Sequence, residues 1–154
     1  EICKNFSINS LTLVSSISAR TQLDSIYGIN RRSAELILDK NDLILRVGPV
    51  YGGNKNVGPL YDIFNNKDVF VSENTKSSYA HVEYYSKKIV DLTLKNKKGI
   101  IELGAKDYIL LSDFKKRFNS SSKFFGQSDH QIPKNPQTDS PSVILVYEYF
   151  EKLF

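Results

Sequence analysis

The sequence predicts an α/β fold built on a parallel sheet. Three observations lead there. Short apolar runs, rich in β-branched residues and bounded by polar or Gly/Pro positions, have the form of buried strands. Segments with apolar residues at helical spacing lie between them. The two kinds alternate along the 154 residues, the pattern of strand–crossover–strand units.

In chain order, Ser10 to Ser15 reads as a buried strand, apolar from Leu11 to Val14. Ser25 to Lys40 reads as a helix whose apolar side is Ile26, Ala34, Leu36, Ile37 and Leu38. Asn41-Asp42 stops it, and Leu43 to Val47 is a second buried strand. Gly48-Pro49 breaks that strand, and Tyr51-Gly-Gly-Asn54 is a loop open to close backbone approach. Gly58 to Phe64 suits a short helix, Asp68 to Val71 a short strand, and Tyr79 to Val82 an extended piece. Glu83 to Asn96 is the clearest helix: Tyr85, Ile89 and Leu92, with Val90 and Leu94, recur at its period. Gly99 caps it and opens the strand Gly99 to Gly104. Leu111 to Phe118 suits a helix with Ser112 as N-cap. Asn119 to Pro141 is rich in Ser, Pro, Gln and Asn and reads as a long loop. Ser142 to Phe154 is a closing apolar helix or strand–helix piece.

Composition narrows the function classes. Hydrophobic residues at 40% and charged residues at 25% are ordinary for a globular domain. The net charge of +4 is spread along the chain. Its densest stretches, Lys95 to Lys98 and Lys115 to Arg117, carry no interleaved stacking aromatics, so no nucleic-acid partner is expected. Cys3 is the single cysteine, which rules out an internal disulfide and fits a reducing, cytoplasmic setting. His81 and His130 share no ligand spacing with it, so no metal is expected. No apolar run nears the roughly 20 residues that span a bilayer. Glu1 to Asn9 has no signal-peptide core, and the sequence contains no Met. A chain cut from a longer one, or processed at its start, is the expectation.

The chemistry concentrates in two pieces. Leu13-Val-Ser-Ser-Ile-Ser-Ala-Arg20 ends a buried strand in hydroxyl residues. Tyr27-Gly-Ile-Asn-Arg-Arg-Ser-Ala-Glu35 then opens a helix with a cation four positions after the tyrosine. Positions i and i+4 share a helix face, so Tyr27 and Arg31 can address one site. In open parallel sheets that site lies outside the carboxyl ends of the strands. A phenol is a poor acid/base at neutral pH, and a neighbouring cation favours its ionised form. With a strand-end hydroxyl on the substrate oxygen, such a group can move a proton while a nicotinamide moves a hydride.

A strand ending in Ser-Ser, then Tyr-Gly-x-x-Lys-x-x-x-Glu, is the pattern of the extended short-chain dehydrogenases/reductases, the NAD-dependent epimerase/dehydratase kind. Ser15-Ser16, Tyr27, Gly28 and Glu35 match it. Ile44 to Gly52 resembles the family's Arg-x-x-x-Val-Tyr-Gly strand and loop, and Tyr79-Ala-His-Val82 its Phe-x-His-Val region. Strand Gly99 to Leu103 also resembles a family element. Together these pieces cover most of residues 10 to 118.

The resemblance implies a Rossmann-like parallel sheet, second half only, with a small C-terminal substrate lobe. Residues 1–56 would be the Rossmann half, and 57–154 the lobe with returning strand and helix elements. It implies Tyr27 as catalytic acid/base, Ser16 as the hydroxyl orienting the substrate with Ser18 the runner-up, and Arg31 at the family's lysine position. Tyr27, Arg31, Gly48, Pro49 and Val50 would meet NAD or NADP. Ser18, Tyr51 and His81 would be near the substrate, a nucleotide sugar, or its lobe.

Two departures stand out. Arg31 keeps the lysine's charge but has a planar fork and does not readily release a proton. The Gly-rich dinucleotide fingerprint does not occur, so the main cofactor-binding half is expected to be absent from this chain. Tyr27 also follows Ser16 by eleven positions, a short gap for the family. The implied function is an NAD(P)-dependent epimerase, dehydratase or reductase. The alternative is a non-catalytic relic serving as a binding or interaction module. A generic α/β binding protein is a third reading. As partners, the missing N-terminal half would cover the edge of Leu11 to Val14, which would otherwise invite aggregation, and the resemblance implies that a second copy would pair through helices, including the one carrying Tyr27.

Simpler roles are expected elsewhere. His81 also suits a structural position, and Ser15 simple strand-end structure. Arg46 on a buried strand needs a carboxylate or carbonyl partner. Tyr84, Tyr85, Tyr147, Tyr149 and Phe150 suit core packing.

Overall fold

Three strands form the central sheet: β1 (Thr12–Ser16), β2 (Leu43–Val47) and β6 (Gly99–Leu103), in the order β1-β2-β6 and all parallel. A computed structural model describes residues 10–54 and 56–153. Cys3 and the start, Glu1 to Asn9, lie outside the described residues, as does Phe154.

The strand residues follow from where each strand sits. β2 is central and buried from Leu43 to Arg46. On one sheet face Leu43, Leu45 and Leu103 pack with Ala80 and with Tyr85 and Leu92 of helix α4 (Val82–Leu94). On the other face the register aligns Ser15, Arg46 and Glu102 in one cross-strand row. Arg46 makes a two-pronged ion pair with Glu35, Nε to Oε1 at 2.9 Å and Nη2 to Oε2 at 2.6 Å. Ser15 Oγ donates to the same carboxylate at 2.7 Å. The remaining Arg46 nitrogen reaches Glu102 at 3.4 Å, and Arg20 grips Glu102 at 2.7 and 2.9 Å. Arg46 thus has the carboxylate partners its buried position requires, and Ser15 serves the strand end.

Glu35 ends helix α2 (Ile26–Glu35), which follows the short helix α1 (Ser18–Thr21). Ser25 caps α2, its Oγ accepting the Gly28 N–H at 3.0 Å. The helix stops well before Lys40. Asp39 and Asp42 side chains capture the backbone N–H groups of Asn41 and Asp39, drawing the chain into a turn. The expected apolar side is also corrected. Ile26, Leu36 and Ile37 are 81%, 70% and 81% exposed, and Gly28 and Glu35 are the residues that α2 buries. The ion network, rather than an apolar stripe, joins this helix to the sheet.

The lobe comprises α3 (Pro59–Phe64), α5 (Leu111–Arg117) and α6 (Ile144–Glu151) with two small ladders. β3 (Val50–Tyr51) pairs parallel with β5 (Ala80–His81), and β4 (Lys76–Ser77) antiparallel with β7 (Ile109–Leu110). Its core is aromatic: Phe150 meets Tyr61 at 4.9 Å, Phe64 and Phe114 at 5.2 Å, and Tyr149 at 5.4 Å between centroids. The expected strand Asp68 to Val71 is only a bridge, Val69 to Phe124. Ser112 is not the cap of α5: β7 runs straight into that helix, and its first free N–H groups, Leu111 and Ser112, bond the carbonyls of Thr75 and Glu73. On α4, Val90 and Leu94 face outward. No helix among the described residues is long and apolar enough to cross a membrane.

Two outcomes are expected for the ion network. Arg46→Met leaves Glu35 buried without its main partner and costs about 3–5 kcal/mol in denaturant unfolding. Burial raises the Glu35 carboxyl, but the hydrogen bonds from Arg46 and Ser15 and the Arg46 charge outweigh it and hold it below its ordinary 4.5. Glu102 is held low in the same way, by Arg20 and the Lys134 N–H against burial. Their stabilisation is therefore fully present above about pH 5 and is lost as pH falls through the depressed values. Acid titration of the melting temperature checks this, and the Arg46→Met deficit should shrink in that same acid window.

Candidate functional site

β1 delivers its hydroxyls at its carboxyl end. Ser16 is buried there, its Oγ donating to Ser18 Oγ at 3.2 Å while accepting the Ser18 N–H at 3.2 Å. The chain turns at once into α1, with Ile17 fully buried and its N–H on Val47 O. Gly28 then sets the seat of α2. A Cβ on it would stand 1.9 Å from the Gln22 carbonyl oxygen and 2.8 Å from that of Ser18. Only a bare Cα lets the first turn of α2 lie on α1, and the neighbouring residue on that turn is Tyr27.

Tyr27 is half-exposed, and Arg31 lies on the same face one turn on, its Cζ 5.1 Å from the tyrosine ring centroid. This is cation–π geometry, one way to hold a guanidinium in place. The turn after β2 supplies a further wall. Pro49 O accepts from Tyr85 Oη and from the Ala80 N–H, both at 3.1 Å, and the Gly48 N–H bonds Leu103 O at 2.9 Å. A side chain at Gly48 would crowd Tyr85 and the Leu103 and Ser78 carbonyls.

A cavity of about 440 Å³ brings these groups together: Ser16, Ser18, Tyr27, Arg31, Gly48, Pro49 and Val50 all line it. Two predicted site residues lie outside its walls. Tyr51 packs edge-on against His81 at 5.2 Å and Tyr149 at 5.3 Å. His81 caps α4, its Nδ1 accepting the Glu83 N–H at 3.3 Å. Their contribution is to shape the adjoining loop, where Gly52 has φ +81° and a Cβ would meet the His81 ring at 2.1 Å. The Gly52 N–H donates to Tyr61 Oη at 3.0 Å; burial, then its bond to Tyr149, pushes that phenol up to about 12.

The lobe adds walls that the sequence did not announce: Thr75, Ser77, Tyr79, Asp129 and Gln131. Asp129 sits in the Ser- and Gln-rich stretch read as loop. Burial lifts its carboxyl above the ordinary range, against the pull of a hydrogen bond from Gln131. Its contact with Thr75 spans 54 positions, so no local spacing could have signalled it.

No family model matches the chain, and no curated protein does. Solved structures do. A UDP-galactose 4-epimerase superposes with a TM-score of 0.65 at 14% identity, covering 99% of this chain and 65% of that one. An NAD-dependent NDP-hexosamine 5,6-dehydratase of tunicamycin biosynthesis gives 0.64 at 12%, covering 96% and 58%. The UDP-N-acetylglucosamine 4-epimerase from Methanobrevibacter ruminantium M1, solved with UDP-N-acetylmuramic acid, gives 0.60 at 13%, covering 98% and 62%. The chain has the Rossmann-like α/β fold of these proteins and spans about three fifths of their length.

Gly28→Ala should move α2 off α1 and carry Tyr27 with it. A loss of about 1–3 kcal/mol in stability is expected from such overpacking. Amide exchange along 18–31 checks whether the change is centred there.

Proposed function

We propose that this chain carries the acid/base and substrate end of an NAD(P)-dependent enzyme that epimerises, dehydrates or reduces a nucleotide sugar. The observation that carries this reading is one cavity uniting Ser16, Tyr27, Arg31 and the Gly48–Val50 turn at the carboxyl ends of parallel strands. The likeness of the fold to nucleotide-sugar epimerases and an NAD-dependent dehydratase supports it.

The wall formed by Tyr27, Arg31, Gly48, Pro49 and Val50 fits the nicotinamide end of the cofactor. It is open to the cavity, with Val50 and Tyr27 both well exposed, and is backed by the fixed Pro49 carbonyl. Nicotinamide, when bound, supplies hydride transfer. The rest falls to the chain. Ser16 Oγ orients the reacting oxygen of the sugar, with Ser18 beside it. Tyr27 Oη gives or takes the proton of that oxygen. Arg31 keeps a fixed positive charge over the Tyr27 ring and meets the cofactor from there. Residues 1–56 act as the Rossmann half, and 57–154 as the substrate lobe with returning elements. Tyr51 and His81 serve the substrate by holding the loop beside it. The protein works in the cytoplasm, paired through the β1 edge with a further N-terminal half or through α2 with a second copy.

The second reading, a non-catalytic binding module, draws on Arg31 in place of lysine. Calorimetric titration with NADH and NADPH separates the two, on this chain and on any longer form the gene encodes. The enzyme reading expects binding that weakens about tenfold in Tyr27→Phe and in Arg31→Ala, one lost polar contact each. Tyr27→Phe should also lose turnover while keeping its fold. Absence of binding in every form would leave the binding module.

A further inference from the structure

Asp129 is the single carboxylate, and Arg31 the single cation, among the described residues that line the cavity. The segment carrying Asp129 is held firmly. Its N–H donates to Thr75 Oγ1 at 3.2 Å, and His130 Nδ1 accepts the Lys76 N–H at 3.1 Å. Gln131 pairs with Ser77, donating to Lys76 O and accepting from the Ser78 N–H, both at 3.0 Å.

Within this frame the Asp129 side chain is half satisfied. Oδ2 accepts from Gln131 Nε2 at 2.6 Å. Oδ1 is shut off from water and has no hydrogen-bond partner among the described residues. An acceptor left so is unfavourable, and proteins keep few of them. A half-turn about Cβ–Cγ exchanges the two oxygens without moving the backbone. Gln131 offers its donor to one of them at a time. The other is left without a partner among the described residues, in a side chain that lines the cavity.

We infer that Asp129 reads the sugar part of the substrate, accepting a hydrogen bond from a hydroxyl or ammonium group and excluding sugars that carry a carboxylate there. This rests on the reading of the cavity as a sugar site. The selection is electrostatic and local. A second carboxylate beside Asp129 would be a like charge in a partly dry wall, and Arg31, the one cation among the described residues that line the cavity, is already stacked on Tyr27. Thr75 and Ser77 hydroxyls and the Gln131 amide give the same wall neutral partners for further hydroxyls. A wall built to accept a donor rejects ligands that lack one far more strongly than an apolar wall does.

Binding of UDP-glucose and UDP-glucuronate to the whole chain, by calorimetry or saturation-transfer NMR, tests this, with Asp129→Asn and Asp129→Ala beside the native protein. The native chain should prefer UDP-glucose by about tenfold or more. Asp129→Asn, which keeps the shape and removes the charge, should bring the two ligands to near parity. It should melt no lower than the native protein, because it removes a charge that the fold does not complete; a purely structural Asp129 would melt lower. Equal binding of both sugars by the native chain overturns the inference. So does a UDP-glucose preference that survives both Asp129 variants; if Tyr27→Phe still weakens binding in that case, the sugar-site reading stands without it. No binding of either ligand overturns both.

Discussion

One guanidinium on the central strand ties three elements together. Arg46 holds Glu35 at the end of α2 with two short hydrogen bonds and reaches Glu102 on β6 with its remaining nitrogen. Ser15 from β1 and Arg20 from α1 complete the row. Taking such charges out of water is costly, and the attraction between them offsets the cost only when every donor and lone pair finds a partner. The row meets that condition by alternating sign across the sheet. It also demands one register: a slip of one residue would turn Arg46 towards the apolar face under α4.

The candidate site inherits its geometry from this row. Tyr27 and Glu35 lie on the same helix, so the carboxylate fixed at one end sets where the phenol at the other end can be. Gly28 fixes the remaining freedom by letting α2 lie directly on the carbonyls of α1. On the opposite side of the strand ends, Tyr85 holds Pro49 O from α4, and Tyr61 holds the Gly52 N–H from α3. The loop after β2 is therefore clamped from both the sheet side and the lobe side.

Much of this was legible in the residues. β1, β2 and β6 are short apolar runs between clear stops, and each forms within a residue or two of its expected bounds. The helical spacing of Tyr27 and Arg31 and the hydroxyls closing β1 foretold their shared cavity. What was not legible had physical causes. α2 docks through a charge and a glycine, so reading its apolar residues as the buried side inverted the helix. Asp68 to Val71 has strand composition but, among the described residues, pairs only at Val69 with Phe124, and forms only a bridge. Asp129 and Gln131 reach the cavity because a long irregular segment crosses back to β4. Such closure depends on contacts far apart in sequence and leaves no periodic trace.

That crossing has a consequence in time. The residues around the cavity run from Val14 to Gln131, and the segment 127–131 is held by bonds to residues 72–78. On a ribosome, Ser16, Tyr27 and Arg31 emerge roughly a hundred residues before the wall that carries Asp129 and Gln131, and parallel strands joined by long crossovers are slow to pair. These three residues are thus without that wall until residues 127–131 arrive, and the cavity closes only then.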